Sequence, residues 1–472
     1  MAADISRPNN WYEEYKYFLI NYVLPIIGIS YNNNIERVRE TNGSGPLARE
    51  PYIRQEPGRL VFSNYDTDFF EMEWYPELSR ETLNLARRII ADFTNISKFK
   101  LTGKGNRSLN IKYATDQIRE ENYRLAVQKG VCDWCVGGQN DAFYRLLQIL
   151  EEWSVKTYEG KKVTLGFVFN PQAKSLFPKD EYGTWLDFLK DDYAATLTDC
   201  IHSVIQLDSA CDFAGYLSVT DQNTVDAYSL NPRLPYRFAR VIDKYVGGSC
   251  VGVFLLSSGD IILSKDHSIC MVKRNLRWLN ISFSTFHNMI AARVDQVKIP
   301  DELLEQVYAS TLDVSFAHTG GIIAVIHDVH DLLPDGKPPI LNPCDNLLDT
   351  RSLGALKTLM GTEQQYKNLK PREIQKRLLK RKAILSMVGD KDFSALDRKL
   401  RAELIAMDGA CILDKDGTVC AIGAIIQNDS GSAGGGRSAA AKKLSTYGMA
   451  VKISTDGYIE VFANYEAFYS VI

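Results

Sequence analysis

The chain has 472 residues, of which 45% are hydrophobic and 24% are charged, and its formal net charge is -3. A chain of this length is too long for one hydrophobic core, so we expect two or three domains. The small net charge excludes a general attraction to nucleic acid or to an anionic membrane, so either partner would need a local basic patch.

The first apolar stretch, residues 17–31, is interrupted by Asn21 and Pro25. It is shorter than the roughly 20 residues that span a bilayer, so we expect a buried N-terminal helix followed by a strand, and no membrane span. Residues 41–58 are rich in Gly and Pro and lack apolar periodicity. This second segment is therefore expected to be a loop.

Nine cysteines are scattered along the chain without a secretory signal, which indicates reduced thiols and a cytoplasmic protein. Cys132 and Cys135 have the spacing of half a zinc site. A structural zinc site needs four nitrogen or sulfur ligands, and neither a second CxxC pair nor a nearby histidine pair completes this one. The pattern favours a pair of buried thiols over a metal or redox site.

The middle of the chain alternates between helical and strand patterns. Apolar residues recur at helical spacing over 83–93 and 143–154. Residues 162–170 and 251–263 are apolar strand runs, the second folded around a Ser-Ser-Gly-Asp turn. We predict a mixed α+β protein with a mostly helical region at 1–160, a mixed α/β domain at 161–299 and a third domain at 300–472.

The pattern sharpens after Pro300. Residues 301–312 predict a helix opened by that proline and by acidic residues, which complement a helix N-terminus. His318-Thr-Gly-Gly then leads into residues 322–327, a β-branched run typical of a buried strand. For this third domain we expect a mixed β-sheet flanked by helices.

Residues 366–382 form a strongly basic segment, with eight lysines and arginines against one acid, Glu373. Ile374 and Leu378 lie one helical turn apart and would anchor it as a helix. Two interpretations stay open. The segment is a solvated helix face, as such charge runs usually are, or it steers an anionic ligand toward a neighbouring site.

Residues 404–423 hold the first part of a candidate site. They read as a helix end, a tight transition at Asp408-Gly409-Ala410, a strand, an Asp-Lys-Asp-Gly turn and a returning strand. A carboxylate at that corner lies at a sheet edge, where it is suited to ligate Mg²⁺ or Mn²⁺ or to accept a hydrogen bond from a ribose hydroxyl. Gly409 allows a ligand to approach the backbone closely.

The second part of the site is a Gly/Ser loop at 428–437 that runs into an Ala/Lys helix at 438–445, followed by a closing hairpin. Glycine amides and a helix N-terminus together favour a phosphate, and an arginine there is suited to bidentate contact. The phosphate-binding candidates are Gly434, Gly435, Gly436, Arg437 and Ser438. Taken alone, such a loop is more often a flexible connection, and an Asp-Gly corner more often only a turn.

The order of these pieces, with Met-Asp-Gly-Ala at 407–410, resembles the nucleotidyl-cyclase domain of diadenylate cyclases, the family that includes the DNA-integrity-scanning protein. The resemblance covers about residues 300–462, including the upstream helix and the Gly-Gly-Ile-Ile-Ala-Val-Ile strand. It implies two protomers that face each other, so that each ATP 3′-hydroxyl attacks the α-phosphate of the partner's ATP. It also implies that Asp408 serves the metal and the 3′-hydroxyl, in a reaction that depends on positioning and charge neutralisation.

The chain departs from this family at two places. Where the family has Gly-Thr-Arg-His-Arg, residues 434–439 read Gly-Gly-Gly-Arg-Ser-Ala, so one arginine remains and the histidine is absent. Many cyclases also carry an acidic pair after the next strand, where residues 454–456 are Ser-Thr-Asp. Loss of an arginine clamp lowers the rate of phosphoryl transfer by about 10³-fold or more, while glycine amides and one arginine can still hold a nucleotide.

Three interpretations of the C-terminal domain follow. We favour a sensor that binds an adenine nucleotide or a cyclic dinucleotide, similar to predicted sensor proteins with an altered cyclase-like domain. The alternatives are an active diadenylate cyclase, in which the basic segment supplies the missing charge, and a purely structural module. The resemblance implies a homodimer or higher oligomer, and nothing in the sequence favours nucleic acid as a partner.

A second cluster of polar residues is a weaker candidate for a metal site. His318, His327 and His330, with Asp328 and Asp331, surround the strand at 322–327. His327 and His330 would diverge at the strand end, so we favour polar groups at a strand terminus. The sequence contains no GxSxG, Walker A or Rossmann glycine pattern.

Overall fold

A computed structural model of the chain describes residues 7–29, 35–38, 52–64, 66–101, 112–158, 160–172, 203–207, 213–218, 242, 246–294, 297–333, 340–342, 345–348, 371–389, 391–427 and 435–471. These residues form a mixed α+β protein, as predicted. No helix in this part of the chain is long and apolar enough to cross a membrane.

The chain divides into two compact units, Met1–Asn288 and Met289–Ile472. The division lies close to the boundary predicted near residue 300. The boundary predicted between residues 160 and 161 falls inside the first unit, although all seven strands of that unit's larger sheet lie within residues 165–280, after this boundary.

The described helices of the first unit are α1 (Arg7–Phe18), α2 (Arg80–Leu101), α3 (Lys112–Val136), α4 (Asp141–Ser154) and α5 (Phe283–Arg293), the last of which runs past residue 288. Its described strands are β1 (Glu36–Val38), β2 (Tyr52–Glu56), β3 (Arg59–Asn64), β4 (Asp66–Glu73), β5 (Thr157–Tyr158), β6 (Lys161–Lys162), β7 (Leu165–Phe169), β8 (Ser203–Leu207), β9 (Phe213–Ser218), β10 (Val251–Leu255), β11 (Ile261–Lys265), β12 (Ser268–Arg274) and β13 (Arg277–Asn280). A small antiparallel sheet has the order β1-β4-β3-β2, and a larger mixed sheet has the order β13-β12-β11-β10-β7-β8-β9. The two strand runs predicted around the Ser-Ser-Gly-Asp turn are β10 and β11.

The N-terminal apolar stretch differs from the prediction of a helix followed by a strand. After α1 the chain continues through a π turn at Leu19–Val23 and helical residues Leu24–Ile26, and residues 27–29 form a turn rather than a strand. Pro25 has no N–H to donate, so the helix loosens into a wider turn at this point instead of ending. The apolar side chains of this stretch fill the core, with Phe18 and Leu19 fully buried.

The segment predicted as a loop at 41–58 contains strand β2. Pro57 and Gly58 form the two-residue turn of a hairpin in which Glu56 pairs with Arg59, and Gly58 has a φ of +76°. A Pro-Gly pair marks a hairpin as readily as a loop, and Ile53 is the one buried apolar residue among the β2 side chains that the structure describes, residues 53–56, so there was little periodicity to recognise. The region 1–160, predicted to be mostly helical, thus also contains a sheet formed by β1–β4.

Cys132 and Cys135 lie on α3 and are buried free thiols, as the sequence indicates. Burial raises the pKa of both thiols well above the ordinary value, so both stay protonated at neutral pH. A protonated, buried thiol is a poor nucleophile and a poor metal ligand.

The second unit is built on one mixed sheet. Its described helices are α6 (Asp301–Phe316), α7 (Pro371–Val388), α8 (Arg398–Ala406) and α9 (Gly435–Leu444). Its described strands are β14 (Gly321–Ile326), β15 (Ala410–Asp414), β16 (Val419–Ala424), β17 (Gly448–Ile453), β18 (Ile459–Ala463) and β19 (Glu466–Val471), in the order β16-β15-β14-β17-β18-β19. The helix predicted at 301–312 and the strand predicted at 322–327 are α6 and β14, whereas β19 was not predicted.

Helices cover both faces of this sheet around β14, whose six residues are all buried. On one face, Ile322 and Ala324 pack in a core with Ala441 and Leu444 of α9. On the other face, α6 and α8 pack against each other and against β14. A strand buried on both sides is apolar throughout, which explains the continuous β-branched run in the sequence.

Both predicted C-terminal hairpins are present. In the β15–β16 turn, the carboxylate of Asp414 accepts hydrogen bonds from the backbone N–H groups of Asp416 and Thr418, both at 2.9 Å, and Gly417 has a φ of +92°. An aspartate that bonds the backbone two residues ahead, followed by a glycine, is a common way to close a turn. The predicted β17–β18 hairpin also turns through a glycine, Gly457 with a φ of +83°, but there Ser454 Oγ accepts the bond, from the N–H of Tyr458 at 3.1 Å.

Candidate functional site

The candidate residues lie along one end of the second-unit sheet, the end at which β14 and β15 begin, and we call this end the edge. β14 and β15 are parallel, with Ile323 opposite Cys411, so both strands begin at this edge. In the same register, two residues earlier on each strand, Gly321 lies opposite Gly409. Asp408 directly precedes that level and is exposed, so this residue lies at the end of the sheet where β14 and β15 begin.

Gly409 is required by the packing of two backbone segments. Its φ is +104°, and a Cβ at this position would lie 2.4 Å from the carbonyl carbon of Gly423. Gly423, with a φ of +59°, lies where the pairing of β15 with β16 shifts register, as at a β-bulge. The turn before β15 therefore packs directly on the end of β16, which is a different reason for glycine at 409 than the predicted approach of a ligand.

Arg437 reaches the same edge from α9. It is the third residue of that helix and is half-buried. A Cβ on Gly320, whose φ is +70°, would lie 2.6 Å from Nη1 of Arg437 and 3.2 Å from the carbonyl oxygen of Ile453. The guanidinium group therefore lies against the residue that precedes β14, one strand away from Asp408, and the electropositive N-terminus of α9 lies with it.

Lys380 brings a second cation to this edge. It projects from α7, and its Nζ donates a hydrogen bond of 3.2 Å to the carbonyl oxygen of Gly423. The point where a Cβ on Gly423 would lie is 2.7 Å from that Nζ and 3.0 Å from the carbonyl oxygen of Asp408. The ammonium group and the Asp408 backbone are therefore less than about 6 Å apart.

The remaining candidates contribute unequally. Ala410 is fully buried, and its side chain belongs to the core that α9 covers. Ser438 is also buried, whereas Gly435 and Gly436 are exposed with open space where a Cβ would lie. Only the φ of +80° at Gly435 calls for glycine there. Gly434 lies outside the described residues.

The described residues offer limited ligation for a divalent metal. Asp408 gives one carboxylate, and no group of three or more metal-ligating side chains occurs in the described part of the chain. Asp456 belongs to the β17–β18 turn and is exposed. Mg²⁺ commonly takes one or two carboxylates and completes its shell with phosphate oxygens and water, so Asp408 fits a metal that arrives with a nucleotide.

Cysteine chemistry is disfavoured next to this edge. Cys411 follows Ala410 on β15, and Cys420 lies on β16. Burial raises the pKa of Cys420 to about 12 and that of Cys411 further, so both thiols are protonated at neutral pH. A buried thiol of this kind is inert, and the chemistry of the edge rests on its charged groups.

The basic segment divides its charges between solvent and the edge. Its described helical part is α7, on which Arg372, Lys376 and Lys382 are exposed, as expected of a solvated face. Lys380 is exposed as well but also bonds the Gly423 carbonyl, and Arg381 is buried. The predicted anchors, Ile374 and Leu378, have side chains outside the described set, as do the predicted basic residues Lys367, Lys370 and Arg377.

Among the histidines weighed as ligands, His330 donates its backbone N–H to the carboxylate of Asp328, which caps the short 3₁₀ turn at Val329–Leu332. Asp328 therefore has a local structural role after the C-terminal end of β14, which is the opposite end of the strands from Asp408. This agrees with the interpretation of polar groups at a strand terminus.

Sequence reasoning missed Gly320, Gly423 and the specific role of Lys380. The Gly-Gly pair before β14 and the glycine inside the apolar run of β16 were visible signals, because an isolated glycine in a strand pattern indicates a bulge or a close backbone approach. Lys380 gave no such signal, since eight basic residues cluster within one segment. Only the tertiary arrangement separates it from its neighbours.

Comparison of the chain with protein-family models, with curated proteins and with solved structures finds no match.

Proposed function

We propose that the second unit binds an adenine nucleotide or a cyclic dinucleotide at this edge and serves as a sensor domain. The position of Arg437 carries the proposal. Its guanidinium lies against Gly320 beside the N-terminus of α9, one strand away from the exposed carboxylate of Asp408. An arginine at a helix N-terminus suits a phosphate, and a carboxylate suits a ribose hydroxyl.

The same residues favour binding over catalysis. Phosphoryl transfer depends on several cations and metal ions that clamp the phosphate oxygens, and loss of one arginine clamp costs about 10³-fold or more in rate. The described edge has one arginine, Arg437, and the acidic residues Asp408 and Asp456, the second on the β17–β18 turn, whose Thr455 N–H group lies beside Gly320. Mg²⁺ or Mn²⁺ bound with the nucleotide would supply further positive charge there. Free, buried thiols fit a reducing cytosol, and we extend the proposal to a cytoplasmic protein that forms a homodimer.

Calorimetric titration of the full chain with ATP and with cyclic di-AMP tests the proposal. We expect binding of at least one of them, and Arg437→Ala should weaken it by about tenfold or more, because a charge-assisted hydrogen bond contributes about 1.5–3 kcal/mol. Arg372→Ala, which removes an exposed arginine of α7, is the matched control and should leave the affinity within about twofold. Absence of binding to either nucleotide at millimolar concentration would refute the proposal.

An active diadenylate cyclase is the second candidate, and the position of Lys380 near Asp408 favours it. The basic segment would then supply charge that the missing arginine supplies in the family. Incubation with ATP and Mn²⁺ followed by mass spectrometry separates the two candidates. A cyclic product that disappears in Asp408→Asn would replace sensing by catalysis, whereas binding without product supports the sensor.

A further inference from the structure

Lys380 is placed as a binding group and not only as a solvated charge. Its hydrogen bond to the Gly423 carbonyl uses one of the three donors of the ammonium group, which leaves two for another partner. Among the described residues, no carboxylate forms an ion pair with Lys380 or with Arg437. Within the described residues, both cations are therefore without a counterion.

The sheet sets the spacing of the three charged groups. Lys380 lies at the end of β16, Asp408 precedes β15, and Arg437 lies at the start of β14, and these strands are consecutive in the sheet. Adjacent strands are about 4.8 Å apart, so the ends of β16 and β14 are separated by roughly 10 Å. The backbone of Asp408 thus lies between the strand ends that Lys380 and Arg437 contact.

We propose that Lys380 binds a second anionic group of the ligand. This ligand carries a phosphate on each side of the ribose whose hydroxyl donates a hydrogen bond to Asp408. The inference rests on the proposed function. A nucleoside triphosphate carries all of its charge on the 5′ side of its ribose. A nucleoside 3′,5′-bisphosphate or a cyclic dinucleotide has a phosphate at both the 3′ and the 5′ oxygen, which matches one cation on the strand to each side of Asp408.

Arg437 and Lys380 then have distinct roles. Arg437, with the N-terminus of α9, binds one phosphate with planar, bidentate geometry. Lys380 binds the other as a point charge and offsets the repulsion between that phosphate and the carboxylate of Asp408. A lysine that served only to hold the Gly423 carbonyl would affect stability and would not discriminate between ligands.

The test compares four probes with the full-length protein by calorimetry: adenosine 3′,5′-bisphosphate, cyclic di-AMP, ATP and AMP. Lys380→Met keeps the aliphatic stem and removes the charge. Lys376→Met, at an exposed lysine one turn earlier on α7, is the matched control. Thermal unfolding of each variant without ligand verifies that the fold is retained.

We expect Lys380→Met to weaken binding of the bisphosphate and of cyclic di-AMP by about tenfold or more, and binding of ATP and AMP by less than about threefold. Lys376→Met should change each affinity by less than about twofold. If the wild type binds nucleotides and Lys380→Met binds all of them as the wild type does, the role of Lys380 is wrong and the proposed function stands. An equal loss for ATP and the bisphosphate would overturn the two-sided ligand, and a wild type that binds none of the probes would overturn both proposals.

Discussion

Substituting Gly409 by alanine should destabilise the second unit strongly, without any contribution from a ligand. The backbone φ of +104° is rarely adopted by residues with a Cβ and costs about 1–3 kcal/mol. The new Cβ would also lie 2.4 Å from the carbonyl carbon of Gly423, which forces the main chain of β16 to move at a further cost of about 1–3 kcal/mol. Together these amount to about 2–6 kcal/mol, a large part of the 5–15 kcal/mol typical of a whole domain.

Two spectroscopic signals separate the units in this experiment. All six tryptophans precede residue 289, so tryptophan emission reports on the first unit, whereas far-UV circular dichroism reports on both. In urea, Gly409→Ala should show an early circular-dichroism transition, and hydrogen exchange should place the lost protection in β14–β16. Gly436→Ala is the control, since that glycine is exposed with nothing within 4 Å of a Cβ, and it should change stability by no more than about 1 kcal/mol. If Gly409→Ala unfolds at the midpoint of the wild type, the backbone-packing explanation is refuted.

Two further predictions concern buried charges. Burial, and secondly the charge of Asp133, raises the pKa of Asp92 from 3.8 to about 6. The protein is therefore most stable, as far as this group is concerned, below about pH 4, where Asp92 is protonated in both the folded and the unfolded state. That stability is lost as the pH rises through 6 and the buried carboxyl ionises. Asp92→Asn should remove that loss and raise the free energy of unfolding at pH 7 by about 1 kcal/mol, allowing for solvent screening. If the urea midpoints of variant and wild type depend on pH in the same way, this prediction is contradicted. Asp313 accepts hydrogen bonds of 2.6 and 2.7 Å from Nε and Nη2 of Arg398, so Asp313→Asn should cost about 3–5 kcal/mol in urea unfolding by leaving a largely buried guanidinium uncompensated. Arg59→Met breaks an exposed ion pair, so it should cost much less than Asp313→Asn, and equal costs for the two variants would refute the burial argument.

The parts of the fold that were predictable depend on local signals. β14 is a β-branched run buried on both faces, and the turn at Asp414 closes through its own side chain and Gly417, so each is encoded within a few residues. β2 was missed because it buries little apolar surface and its pattern ends in a Pro-Gly turn. The π turn at Leu19–Val23 was missed because a proline inside an apolar run predicts an end more readily than a widening.

The candidate site divides in the same way. The positions of Asp408 at a sheet edge and of Arg437 at the start of a helix follow from adjacent sequence. The contact between Arg437 and Gly320, and that between Lys380 and Gly423, join residues far apart in the chain and depend on the order of the strands. No local pattern encodes such a contact.

The Asp-Gly-Ala sequence that carries the resemblance to diadenylate cyclases contains two kinds of information. Gly409 is fixed by the backbone of Gly423, and Ala410 is fixed by the core beneath α9, so both residues would be needed in this fold whether or not a ligand binds. Asp408 is exposed and has no comparable packing requirement. A function of this edge must therefore be tested on the charged side chains of Asp408, Arg437 and Lys380, because substitutions at the glycine and alanine would unfold the sheet and lose binding for a reason unrelated to recognition.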